Sequence, residues 1–144
     1  MTKNTAATAA PSTLDLSTIN ELAEANIVIK HPVTGAPTGA LVTLAGPEHP
    51  KRKQLIFTRT RKLRAKFQKS GKVQLDDPED EEADGVSYLA ACTLGWIGFS
   101  EGGKEIPFST QAAVDLYTRI GWLRAQVSLA LEEKENFIEA SAPA

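Results

Sequence analysis

Between Lys51 and Lys72 the chain carries ten of its sixteen basic residues and no acid, and between Asp76 and Asp84 it carries seven of its eighteen acids and no base. The formal net charge of −2 conceals this division into a cationic stretch and an anionic one. A nearly neutral total argues against bulk nucleic-acid binding, whereas so dense a local run argues for some anionic contact. Three contacts fit: another protein, a nucleic acid, or the chain's own acidic segment.

A chain of 144 residues is most simply one domain with loose ends. Residues 1–18, MTKNTAATAAPSTLDLST, are mostly Thr, Ala, Ser and Pro and offer little to bury, so a disordered arm is expected there. Residues 140–144 are expected to be a tail of the same kind, which leaves a single α+β domain over 19–139. Cys92 is the only cysteine; it excludes an internal disulfide and suits a reducing cytosol. No apolar run approaches the ~18 residues of a membrane helix, and Lys3 has no hydrophobic stretch behind it to make a signal peptide. A soluble, intracellular protein without a membrane partner is expected.

Ile27-Val28-Ile29-Lys30 and Ala40-Leu41-Val42-Thr43-Leu44 are β-rich runs separated by His31-Pro32-Val33-Thr34-Gly35-Ala36-Pro37-Thr38-Gly39. The pattern predicts a hairpin over 27–45 with a long loop. An isolated hairpin is marginal in water, so it must pack on helices or pair with another chain, and its edges favour self-association. A helix is predicted over about 51–69, because Ile56, Thr60, Leu63 and Phe67 recur at four, three and four residues along one face. Leu55 and Phe57 widen that face, and Ser70-Gly71 supplies the stop. Lys51, Arg52 and Lys53 stand at the positive end of this helix's dipole, where bases are disfavoured; their charge therefore has a use other than capping.

The acids of 76–82 precede a second predicted helix, over 83–95, with Val86, Leu89 or Ala90, Thr93 and Ile97 facing inward. A glycine-punctuated link follows over 95–103. Pro107-Phe108-Ser109 opens a third helix over 109–120, with Ser109 as N-cap and Ala113, Leu116, Tyr117 and Ile120 as its stripe. Gly121 interrupts, and a fourth helix is predicted over 122–138 with Leu123, Val127, Ala130 or Leu131, Lys134 and Ile138 on one side. The fold class is α+β, a small N-terminal hairpin followed by about four helices, with no internal repeat.

Nothing in this pattern makes a catalytic constellation. His31 and His49 are both followed by proline, with no second histidine or cysteine at metal-ligand spacing. Cys92 sits among small apolar residues and fits a core thiol. The acidic run lacks the alternation and the glycine of a calcium loop, and Gly102-Gly103 fits a turn, not a phosphate cradle. No cofactor, metal or enzyme activity is expected. The basic helix remains, and its bases Arg59, Arg61, Lys62, Arg64 and Lys66 are candidate contacts for an anionic partner. Nucleic acid is disfavoured as that partner by the sequence pI near 5.7 and by the few interleaved groups, Phe57, Phe67, Gln54 and Gln68, that could reach bases.

Leu94-Gly95-Trp96, a glycine-rich link, Ile106-Pro107-Phe108-Ser109, Trp122-Leu123-Arg124-Ala125-Gln126-Val127 and Asn136-Phe137-Ile138 follow one another in an order that resembles the tail assembly chaperones of long-tailed (siphovirus-like) bacteriophages. His31-Pro32-Val33-Thr34-Gly35 and Leu44-Ala45-Gly46-Pro47 are similar to the strand-rich start of many of them. The strongly basic helix departs from that pattern, as does Ile138 where an aromatic residue is common. The resemblance implies a non-catalytic protein of the host cytoplasm, absent from the mature virion. It would keep the tape-measure protein soluble and help recruit tail-tube subunits, and in that family a longer frameshifted product often coexists with the short one. An exposed helical client needs an apolar surface, for which Trp96, Phe99, Phe108, Trp122 and Phe137 are candidate anchors; the same aromatics would otherwise form the core. Trp122, opening the last helix beside Gly121, is expected to pack inward. The rival classes are a small nucleic-acid-binding regulator working through 51–72 and a structural tail or connector component.

Overall fold

The structure is a computed structural model and describes residues 13–72 and 77–140. Most of the arm expected over 1–18, the first acid of the anionic run and the tail beyond Ala140 lie outside these residues. The rest of the expected arm is ordered by its own side chains. Asp15 accepts from the Ser17 backbone N–H at 3.0 Å and from the Ser17 hydroxyl at 2.7 Å, capping a 3-10 turn over Leu16–Thr18. These local bonds are what Ser, Thr and Asp offer the backbone, and they hold the Asp15 carboxyl below its usual range.

Strand β1 (Ile19–Glu21) leads into β2 (Glu24–Lys30), which pairs antiparallel with β3 (Pro37–Ala45) so that Ile27 faces Val42 and Val28 faces Leu41. This is the expected hairpin. Its loop closes through His31, whose backbone N–H donates to Ala36 O at 2.8 Å and whose Nδ1 accepts from Val33 N at 3.1 Å. Helix α1 (Pro50–Ser70) follows, capped by His49 Nδ1 accepting from Lys51 N at 3.1 Å and ended by Gly71 at φ 75°. Both histidines thus serve as turn and cap acceptors.

Helix α2 (Pro78–Cys92) starts five residues earlier than expected, at a proline suited to the first helical turn, with Glu79, Asp80 and Glu81 near its positive end. It also stops three residues earlier than the 83–95 expected from periodicity. Thr93–Ile97 is instead strand β4, set on the open side of β3 with Val42 opposite Trp96 and Leu41 opposite Ile97. Helical spacing of apolar residues there competes with β-branched and aromatic side chains and with an available strand partner, and the tertiary pairing wins. The hairpin therefore grows to a three-stranded sheet in the order β2-β3-β4. The expected glycine link holds a small hairpin, β5 (Ser100–Glu101) with β6 (Lys104–Glu105), turned by Gly102 and Gly103 at positive φ.

Helix α3 (Thr110–Arg119) begins at Ser109, whose hydroxyl accepts from Ala112 N at 3.0 Å. Helix α4 (Gly121–Glu132) is shorter than the 122–138 expected. Glu132 and Glu133 disfavour continuation at the negative end of the dipole, and the Asn136 amide donates to the Ala130 carbonyl at 2.9 Å. A 3-10 turn over Lys134–Phe137 then delivers strand β7 (Ile138–Ala140), which pairs with β1. Ile138 is thus a strand residue, 44% exposed.

The inward stripes meet in one core. Ile29, Val42 and Leu44 from the sheet pack against Val86, Leu89 and Ala90 of α2, Ala113, Leu116 and Tyr117 of α3, and Leu123 and Val127 of α4. Cys92 is fully buried, and burial pushes its thiol up. The α+β class holds as expected.

Candidate functional site

Helix α1 spans 21 residues, roughly 31 Å at 1.5 Å per residue, and its buried and half-buried side chains lie in its first turns. Arg52 is buried, Lys53 and Leu55 are half-buried, and from Ile56 to Ser70 every residue is exposed. The face expected from the four-three-four spacing exists, but it meets water. Ile56, Phe57, Leu63 and Phe67 are each 41–54% exposed. Free-standing helices are polar all round or marginally stable; this one displays an apolar stripe among bases.

Attachment comes from the base that no partner surface can use. Arg52 reaches inward, its Nη1 donating to Ala45 O at 3.1 Å and its Nη2 to Leu131 O at 3.2 Å. It therefore ties α1 to the end of β3 and to the last turn of α4. Lys53 pairs with Glu48 at 2.9 Å. The five bases singled out from sequence do not form one patch. Arg59 lies over the Tyr88 ring, 4.7 Å from its centroid, and with Lys51 and Lys62 it borders a groove between α1 and α2. Arg64 lies instead with Leu63, Phe67 and Gln68 around a separate shallow depression, while Arg61 and Lys66 are exposed elsewhere on the helix.

The groove encloses about 680 Å³. One wall is Lys51, Gln54, Leu55, Thr58, Arg59 and Lys62; the other is Asp84, Ser87, Tyr88 and Ala91. Burial, first of all, raises the pKa of the Tyr88 phenol and of the neighbouring Cys92 thiol, so both groups stay protonated at neutral pH. Among the described residues, Arg59, Arg61, Lys62 and Arg64 form no ion pair with the acids of α2; Glu82 pairs with Arg124 of α4 at 3.5 Å.

The five aromatic candidates divide. Trp96 is 8% exposed and Phe137 2%, so both belong to the core and are not contact residues as expected. Trp96 stands edge-on to Phe99 at 5.2 Å and to Phe108 at 5.0 Å, and its Nε1 donates to Ile106 O at 2.9 Å. This cluster ties the small β5–β6 hairpin to the sheet. Phe99 and Phe108 are half-buried. Trp122, expected to pack inward, is 44% exposed and forms, with Phe99, Ile29, Ile106, Leu116 and Ile120, an apolar cavity of about 360 Å³. Sequence reasoning missed Lys51, Leu55 and Tyr88 as groove residues. Their spacing carries the signal of a helix face, but which helix they border is a tertiary fact.

The chain matches no protein-family model, no curated protein and no solved structure. What the fold defines is an α+β domain in which helix α1 is exposed from Ile56 to Ser70 and faces α2 across the groove. Among the described residues no helix is long and apolar enough to cross a membrane.

Proposed function

We propose that this chain is a tail assembly chaperone of a long-tailed bacteriophage. It holds the tape-measure protein soluble in the host cytoplasm, helps recruit tail-tube subunits, does no catalysis and leaves before the virion matures. The observation that carries this reading is α1: Ile56, Phe57, Leu63 and Phe67 stand exposed on a helix with ten bases and no acid in and just beyond it. An elongated helical client with apolar faces needs such a surface while it waits for its tube. The order of motifs from Leu94 to Ile138 supports the same reading. Self-association through the sheet is a further part of the proposal, since the outer row Val28–Leu41–Ile97 is 42% exposed at Val28 and 62% at Ile97.

Co-expression with the phage's own tape-measure protein tests it. The soluble fraction of that protein should rise when this chain is present. No rise, together with tight and salt-sensitive DNA binding, would give the basic helix to a nucleic-acid regulator. Recovery of the chain from purified particles would instead make it a structural tail component.

A further inference from the structure

The α1–α2 groove specifies more than a generic anionic contact. Building on the chaperone reading, we infer that the groove takes one helix of the client, with acids along the flank that faces α1 and none along the flank that faces α2. The lining falls at Lys51, Leu55, Thr58 and Lys62 on one wall and at Asp84, Tyr88 and Ala91 on the other. Steps of three and four on both walls are the ridges against which a third helix packs, at about 8–10 Å between axes. Leu55, Tyr88 and Ala91 give an apolar floor. Lys51, Arg59 and Lys62 give one cationic rim, and Arg59 is held in place by its stack on Tyr88 at 4.7 Å.

Asp84 decides the polarity of the occupant. A helix acidic on both flanks would set a carboxylate against Asp84, which costs affinity as like charges do at close range. A nucleic acid, anionic throughout, meets the same obstacle, and the acids Glu79, Asp80 and Glu81 occupy the first turn of that wall. A second copy of α1 is repelled by its own bases. The complement of this groove is an amphipathic helix with one acidic flank and one neutral or basic flank.

Fluorescence anisotropy with the full chain and three labelled synthetic helical peptides tests this. All share one leucine stripe; the flanks are Glu and Lys, Glu and Glu, or Lys and Lys. The Glu/Lys peptide should bind most tightly, the Lys/Lys peptide least, and Asp84→Lys should shift preference to the Glu/Glu peptide. The triple change Lys51→Glu, Arg59→Glu, Lys62→Glu should weaken Glu/Lys binding by about tenfold, as three lost surface pairs would. Arg61→Glu, Arg64→Glu, Lys69→Glu makes the same change in net charge outside the groove and should move it by no more than about twofold. Thr58→Trp, at an exposed groove position outside the core, should block the peptide by bulk alone. Equal weakening by both triple variants, equal affinity for all three peptides, no binding of any, or displacement by a short DNA duplex would overturn the inference. A groove variant that still solubilises the tape-measure protein would sink the groove and leave the chaperone reading intact. Peptide binding by a wild-type chain that solubilises nothing would do the reverse.

Discussion

The guanidinium of Arg52 lies 5.8 Å from the centre of the Phe137 ring, so the start of the basic helix and the 3-10 turn that precedes β7 are joined through a single side chain. Arg52 is 7% exposed, and its two terminal nitrogens satisfy the carbonyls of Ala45 and Leu131. Arg52→Ala should leave both carbonyls and part of the Phe137 ring without a partner. A loss of about 3 kcal/mol in urea denaturation is expected, with Arg52→Lys recovering part of it because one ammonium cannot span both acceptors as the fork does.

The two tryptophans should separate cleanly. Trp96→Ala removes a buried ring that anchors Phe99 and Phe108, and should cost about 3–5 kcal/mol. Trp122→Ala removes a ring that is 44% exposed, and should cost under about 1 kcal/mol. Acrylamide should quench Trp122 emission strongly and Trp96 weakly; equal quenching would contradict the burial assigned to them.

Alkaline stability should turn on Tyr117. Its side chain is fully buried beside Thr93, with the two hydroxyl oxygens 2.8 Å apart, and burial pushes the phenol up to about 12. In the unfolded chain it titrates near ~10. The folded value lies above the unfolded one, so this contribution is whole below about pH 10 and erodes as pH rises from there through about 12, the unfolded state losing its proton first. The full loss is about 2–3 kcal/mol. Tyr117→Phe should cost about 1 kcal/mol near neutrality and flatten the alkaline limb of stability measured by denaturant titration at stepped pH.

Gly98 turns the chain out of β4 at φ 85°, and a Cβ there would meet Gly39 O at 2.5 Å. Gly98→Ala combines left-handed backbone strain with a clash against rigid backbone. It should lower stability by about 2 kcal/mol or more, read as a drop in the thermal midpoint. Gly95→Ala, where a Cβ would meet nothing within 4 Å, should be nearly silent by the same readout.

Neutralising the exposed bases should separate binding from folding. Arg59, Arg61, Lys62 and Arg64 changed together to Gln keep helix propensity almost unchanged. The thermal midpoint should stay within a few degrees, about 0.5 kcal/mol, while capture of tape-measure protein in a pulldown falls. Wild-type capture should fall in the same way as salt rises. Undiminished capture by the quadruple variant would show that the bases are only a solvated face.

What local chemistry dictates was legible from the residues. The hairpin over Ile27 and Val42, the Ser109 cap, the Gly71 stop and the stripes of Leu116–Tyr117 and Leu123–Val127 depend on neighbours within a few positions, and they stand where spacing and turn residues put them. Helices α2 and α4 overran because periodicity carries no information about a competing partner. Thr93–Ile97 leaves its helix only because β3 offers an edge, and Ile138 leaves its helix only because β1 does. The charge division was likewise plain, but not that Arg52 points inward, that Trp122 is left partly exposed while Trp96 is buried, or that Tyr88 forms a groove with Arg59. Each of these depends on atoms brought together from distant parts of the chain, where packing and the satisfaction of buried carbonyls, not sequence spacing, select the arrangement.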